Sequence, residues 1–178
     1  VSASVEYIIN DVKPNPTIAS IKNYHEIIRD KNIDLVLGYG GGSVLDTAKV
    51  LSLYSNSFQN IESIIKGEII NDYVIKPTVL IPTTAGSGSE VTPWATVWDD
   101  INKKKHSVHL PDLWAEWAIC DPQTQVSLPV NITIQSGLDA LSHAIESVWN
   151  INSNPISGNY ASIASKLIFE FLPDLIEN

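Results

Sequence analysis

The 178-residue chain has no methionine, one cysteine (Cys120) and only four histidines, His25, His106, His109 and His143. A lone cysteine excludes an internal disulfide and a cysteine-based zinc site, and it fits a reducing cytoplasm. No stretch approaches the ~18 uninterrupted apolar residues of a membrane span. The N-terminus also lacks a charged region followed by an apolar core, the pattern of a secretory signal. Cations are scarce: 11 Lys and Arg face 20 Asp and Glu, giving a net charge of −9 and a pI near 4.7. That balance argues against nucleic acid or an anionic membrane as a partner and says nothing about fold. A soluble cytoplasmic protein is the expectation. With no methionine, a chain opening on Val1 reads as a processed or excised piece.

What is present is ordinary globular material, 44% apolar and 17% charged with five tryptophans. It suffices for one domain or one and a half. Val5–Ile9 reads as a short buried strand. Asn15 as cap and Pro16 at the first position then start a helix, with Ile18, Ile21, Ile27 and Ile28 as its buried stripe. Asp34–Tyr39 is an apolar run of the kind covered on both faces in a parallel sheet. Gly40–Gly42 breaks it, and Ser43 to Asp46 opens a helix with the hydroxyl-to-carboxylate spacing of a capping box. Pro77–Pro82 is a third strand, which completes a parallel α/β unit. Trp94–Trp98 and Lys105–His109 form a hairpin around a polar turn. Ala115–Cys120 is a further strand, closed by Asp121-Pro122. Beyond Pro129 only helices are expected, one capped by Asn131 and running to about Trp149, the next restarting at Asn154-Pro155.

Two loops stand where open α/β sheets bind ligands. Gly38-Tyr-Gly-Gly-Gly-Ser43 lies at a strand-to-helix junction, where glycines let the backbone approach a phosphate and the helix start offers free N–H groups. It is not a G-x-G-x-x-G, because Ser43 replaces the last glycine, and no Gly-Lys-Ser/Thr follows, which disfavours a nucleotide-hydrolysing P-loop. Pro82-Thr-Thr-Ala-Gly-Ser-Gly-Ser-Glu90 repeats the arrangement after the third strand, rich in hydroxyls.

A different chemistry is suggested by Gly137-Leu-Asp-Ala-Leu-Ser-His143-Ala-Ile-Glu146. Asp139 and His143 are spaced to share one face of a helix, offset by roughly 40° around its axis. A carboxylate and an imidazole so placed can share ferrous iron or zinc. Taken alone, such a pair is more often an ion pair or hydrogen bond, and a first-row metal wants three or four protein groups. Among the other histidines, His25 reads as a surface residue, and His106 and His109 flank a strand.

Together these motifs are similar to the iron-containing (group III) alcohol dehydrogenases. Gly40–Lys49, Pro82–Glu90, Lys105-His106, Asp121-Pro122, Ser127–Pro129 and Gly137–Glu146 occur in that family's order, preceded by Val12–Thr17. The resemblance implies a Rossmann-like dinucleotide-binding α/β domain, here residues 1–126, incomplete at its N-terminus. The start of an all-helical metal-binding domain follows at residues 127–178. It further implies that Gly41, Gly42 and Ser43 contact the pyrophosphate of NAD or NADP. Asp46, Thr83, Thr84, Ser87 and Lys105 would line the cofactor cleft, with Leu128 packed near the nucleotide. Asp139 and His143 would be two of four ligands to a divalent metal, ferrous iron first and zinc second, the other two being later histidines.

No histidine follows His143. The expectation is therefore an internal piece of a longer enzyme, with its remaining ligands and catalytic residues beyond residue 178. The intact enzyme would transfer hydride between NAD(P)(H) and a small primary alcohol or aldehyde, as a homo-oligomer, a dimer. Glu146–Pro155 resembles members acting on phosphonoacetaldehyde. Two alternatives are a parent of the dehydroquinate synthase or glycerol-1-phosphate dehydrogenase kind, and an inactive nucleotide-binding fragment. In the fragment, exposed Ile163, Leu167, Ile168, Phe171 and Leu172 favour self-association.

Overall fold

A computed structural model describes residues 5–177. Among them, two compact units are distinguished. One holds the residues through Pro82 together with Ser89–Cys120, the other Thr83–Gly88 together with the chain from Asp121 onward.

The first unit is α/β. In chain order it comprises α1 (Ile18–Ile28), β1 (Val36–Gly40), α2 (Gly42–Ser52), β2 (Leu53–Tyr54), α3 (Phe58–Ile65), β3 (Val74–Ile75), β4 (Thr78–Pro82), β5 (Trp94–Asp99), β6 (Lys104–His109) and β7 (Trp117–Ala118). β1, β4 and β7 form a parallel sheet in that order, with Val36 opposite Thr78 and Gly40 opposite Pro82. β2–β3 and β5–β6 are separate antiparallel pairs. The expected parallel α/β core is present, and so is the hairpin. α2 lies against the sheet at Gly38, where an added Cβ would come within 2.9 Å of both Ala48 Cβ and Leu80 Cδ2. Glycine is what admits the helix so close. Burial of Leu45, Ala48 and Leu80 seals that contact, while Ile21, Ile61 and Val97 belong to a larger core joining α1, α3 and the hairpin.

Several local expectations fail for identifiable reasons. Val5–Ile9 pairs with no strand, and Val5 and Ile8 face solvent. Asn15 does not cap α1. It takes a left-handed conformation (φ +60°), and Thr17 caps the helix instead in a reciprocal box with Ser20. The buried stripe of α1 runs through Ile21, Tyr24, His25 and Ile28, leaving Ile27 half exposed. His25 is thus a core residue, not a surface one: its Nε2 meets the Ser55 carbonyl at 2.8 Å and its ring tilts against Phe58. Ser43 forms no capping box, because Gly41 occupies the cap of α2 and makes no side-chain cap bond. The anticipated Ala115–Cys120 strand shrinks to β7.

The second unit contains α4 (Val130–Trp149) and α5 (Pro155–Glu177). Asn131 does not cap α4. Pro129 holds that position with no side-chain bond, so Asn131 already lies inside the helix. α5 does restart at Asn154-Pro155, as expected. The Asn154 carboxamide oxygen accepts from the N–H groups of Ile156 and Ser157, and the Ser157 hydroxyl accepts from Asn154 N–H. α4 and α5 pack along Leu138, Leu141, Ile168 and Leu172, leaving an open apolar groove of about 290 Å³. No helix among the described residues is long and apolar enough to cross a membrane.

Candidate active site

In the first unit, the strand end at Gly40 leads directly into Gly41, the cap of α2, which carries no side chain to occupy the helix start. The first N–H groups of an α-helix have no intrahelical acceptor, and the helix dipole makes that end attractive to anions. Gly42 and Ser43 lie in this first turn. The Ser43 hydroxyl accepts from Asn15 N–H at 3.1 Å, and its carbonyl accepts from the Thr47 hydroxyl at 2.8 Å. Because Gly40 pairs with Pro82, the second glycine-rich loop leaves from the adjacent strand end.

Asp46 is oriented away from this open turn by its own bonds. Its Oδ1 accepts from the Ser89 hydroxyl at 2.6 Å and its Oδ2 from Thr96 N–H at 2.8 Å. One helical turn later stands Lys49, fully buried. Its ammonium donates to the carbonyls of Ser89 (2.7 Å), Thr92 (3.2 Å) and Trp94, and lies 3.7 Å from Asp46 Oδ1. Burial pushes the pKa of Lys49 below the usual lysine range, and the charge of Asp46 pulls it partly back. Lys105 stands exposed on β6, opposite Trp98. His106 points into the core from the next position, and His109 stacks on Trp94 with ring centroids 4.1 Å apart.

In the second unit, the Thr83–Gly88 loop rests on α4. Thr83 and Thr84 are half buried and Ser87 is exposed. At Gly86 a Cβ would come within 2.6 Å of the Ser136 carbonyl oxygen, so only glycine permits the approach. The loop reaches His143 from there: its Nδ1 lies 3.3 Å from the Gly86 carbonyl. A carbonyl can only accept, so this contact requires the proton on Nδ1, and in the neutral ring Nε2 then carries the lone pair. That nitrogen lies 3.9 Å from Asp139 Oδ1, both side chains being about half exposed. A backbone carbonyl holding the far nitrogen of an imidazole is the usual means of aiming a metal-ligating histidine. One hard oxygen and one imidazole nitrogen side by side suit ferrous iron or zinc as two of its donors. No cluster of three or more His, Cys, Asp or Glu side chains occurs among the described residues. Leu128 is half buried just ahead of α4, its N–H bonded to the Gln125 carbonyl.

Each unit therefore gathers its own share of the expected residues: Gly41, Gly42, Ser43, Asp46 and Lys105 in the first, and Thr83, Thr84, Ser87, Leu128, Asp139 and His143 in the second. Sequence reasoning assigned no role to Gly86 or Lys49. For Lys49 a signal was available, since it shares the i, i+3, i+4, i+7 stripe of α2 with Leu45, Ala48 and Ser52, an apolar face where a lysine is out of place. For Gly86 none was, because its neighbour Ser136 is distant in the chain.

Known proteins resemble this chain in sequence and in fold. The model of the iron-containing alcohol dehydrogenases matches residues 2–122, and the C-terminal model of the same family matches residues 133–178. The NAD-dependent methanol dehydrogenase of Bacillus methanolicus is 34% identical over 177 residues, 96% of this chain and 45% of that protein. An iron-containing alcohol dehydrogenase from Thermotoga maritima superposes with a TM-score of 0.84 at 33% identity, over 96% of this chain and 46% of that one. The sulfoacetaldehyde reductase of Bifidobacterium kashiwanohense, solved with NAD+, gives 0.85 at 32% identity, over 94% and 45%. The chain thus spans a little under half the length of these relatives.

Proposed function

Because the chain belongs to the iron-containing alcohol dehydrogenase family, we propose that the protein serves metal-assisted hydride transfer between NAD(H) or NADP(H) and a small primary alcohol or aldehyde. That family match sets aside the dehydroquinate synthase and glycerol-1-phosphate dehydrogenase readings. Residues 1–126 form the nucleotide-binding part in this reading and residues 127–178 the beginning of the metal-binding part, in a cytoplasmic homodimer.

The observation that carries the proposal is the Asp139–His143 pair on α4, with the Gly86 carbonyl at the far nitrogen of the imidazole. When bound, a divalent metal supplies Lewis acidity that polarises the substrate carbonyl or lowers the pKa of the alcohol. Asp139 would contribute a carboxylate oxygen to hold it and His143 the Nε2 lone pair. The N–H groups at Gly41, Gly42 and Ser43 would cradle the pyrophosphate at the start of α2, where neutral backbone donors suit an anion. Thr83, Thr84 and Ser87 offer hydroxyls to the cofactor, Lys105 a cation and Leu128 an apolar contact. A dinucleotide held by these residues would be fixed in one pose, which would lower the entropic part of the barrier.

The test is elemental analysis of the purified protein beside its Asp139→Ala and His143→Ala variants, with NADH- and NADPH-dependent turnover of a panel of short aldehydes that includes phosphonoacetaldehyde. Stoichiometric metal in the parent and its loss in both variants is the expected result. Unchanged metal content would sink the assignment of the pair. A protein that binds NADH yet takes up no metal and reduces no aldehyde would leave the nucleotide-binding fragment as the better description.

A further inference from the structure

Lys49 is the charged group that the proposed chemistry does not use. It is completely buried, at a position where an uncompensated ammonium would be costly. Three backbone carbonyls from one short stretch, Ser89, Thr92 and Trp94, converge on it, and the Thr92 hydroxyl lies 3.5 Å away. Its counter-charge comes from Asp46 on the same face of α2, at 3.7 Å. Asp46 in turn grips the same stretch by two further bonds, from the Ser89 hydroxyl and from Thr96 N–H. The stretch from Ser89 to Thr96 is thus fixed to one turn of α2 by both side chains.

Its position along the chain gives this clamp a use. The hydroxyl-rich loop Thr83–Gly88 begins where β4 ends, at Pro82, and Pro82 is held in the sheet opposite Gly40. It finishes at Ser89, the residue that Asp46 and Lys49 hold. The helix that carries both side chains begins at Gly42, in the first glycine-rich loop. The two residues that flank the second loop, Pro82 and Ser89, are therefore both held within the first unit, on elements that carry the first loop.

We propose that Asp46 and Lys49 are a positioning pair: rather than touching the cofactor, they fix the Ser89–Thr96 stretch, which follows the second glycine-rich loop, to the helix that starts at the first, and so hold the start of that helix in place for the pyrophosphate of a dinucleotide. The inference rests on the nucleotide-binding reading and departs from it at one residue. Asp46, which the family resemblance places along the cofactor cleft, has each carboxylate oxygen engaged inside the protein.

The experiment measures the Kd for NADH by fluorescence titration, with bound metal and amide exchange followed in the same proteins. Ser89→Ala removes one bond of the clamp and should fold normally; Lys49→Met removes the ammonium and is the severe variant. Ser89→Ala is expected to weaken NADH about 3–10-fold, the effect of one hydrogen bond, and Lys49→Met by about 30-fold or more. Amide exchange across residues 89–94 should quicken in both, with metal content unaltered. A general loosening of the fold would instead lower metal and NADH binding together, and would count against the proposal. Two folded variants that bind NADH as the parent does would overturn it. Should the parent itself bind no NADH, the nucleotide reading falls, and the clamp is then judged on exchange alone: unchanged protection of residues 89–94 in Lys49→Met refutes it.

Discussion

Gly86 meets two demands at one position. Its missing side chain lets the loop close on the backbone of Ser136, and its carbonyl then reaches the imidazole of His143. A methyl group there would lie 2.6 Å from the Ser136 oxygen, a distance that backbone atoms on both sides cannot easily relieve. Gly86→Ala should therefore push the loop off α4, costing about 1–3 kcal/mol as an overpacked contact. It should also lower metal affinity about 10–100-fold, the usual result of losing the group that aims a ligating histidine. Urea unfolding and competition with a metal-sensitive dye read the two effects separately, and intact metal affinity in a folded Gly86→Ala protein would rule out the aiming role. His25 and Lys49 show the same dependence on surroundings. Each is a polar residue carried inward by the apolar face of its helix and met there by carbonyl oxygens. Asp139 and His143 were legible because their relation is one of helical spacing alone.

At the scale of elements, the strands and helices were legible where periodicity was strong, and their ends were not. The run Asn15-Pro16-Thr17 offers two residues able to cap a helix. The choice of Thr17 follows from the docking of that segment on β5, where Trp98 N–H donates to the Pro16 carbonyl. In the β5–β6 turn, by contrast, one residue organises the geometry. The Asp99 carboxylate accepts from the side chain and backbone of Asn102 and from Ile101 N–H. The side-chain bond from Asn102, followed by its backbone bond, holds the Asp99 pKa below the ordinary 3.8. A carboxyl whose folded pKa is depressed contributes stability that is present above the unfolded value and is lost as pH falls through the folded one. The thermal midpoint of the parent should thus drop as pH is lowered below about 4, and the drop should be shallower in Asp99→Asn. Parallel pH profiles for the two proteins would remove Asp99 from the account.

At the scale of the whole chain, a large apolar surface faces water. One face of the parallel sheet carries exposed Leu37, Tyr39, Trp117 and Ile119, although such sheets are normally covered on both sides. On α5, Ile163, Leu167 and Phe171 form an exposed stripe at helical spacing, while Ile168 and Leu172 turn toward α4. Patches of this kind drive association. The 178-residue polypeptide is expected to sediment as concentration-dependent oligomers, with the weight-average mass reduced in a Leu167→Ser, Phe171→Ser variant. Monomeric behaviour of the parent at tens of micromolar would contradict this.

The sequence by itself determined what depends on short-range pattern: a parallel α/β part followed by helices, two glycine-rich loops at strand ends, and a carboxylate and an imidazole one helical turn apart. These follow from backbone sterics and from periods of two and 3.6 residues, which any neighbouring stretch of chain displays. Tertiary structure alone decided what satisfies the polar groups that are buried. Lys49 meets carbonyls some 40 residues away, His25 one that is 30 residues away, and His143 one that is 57 away. Such partners are fixed only when packing brings remote backbone within hydrogen-bond distance, because burial strips a donor of water at a free-energy cost that a delivered acceptor offsets.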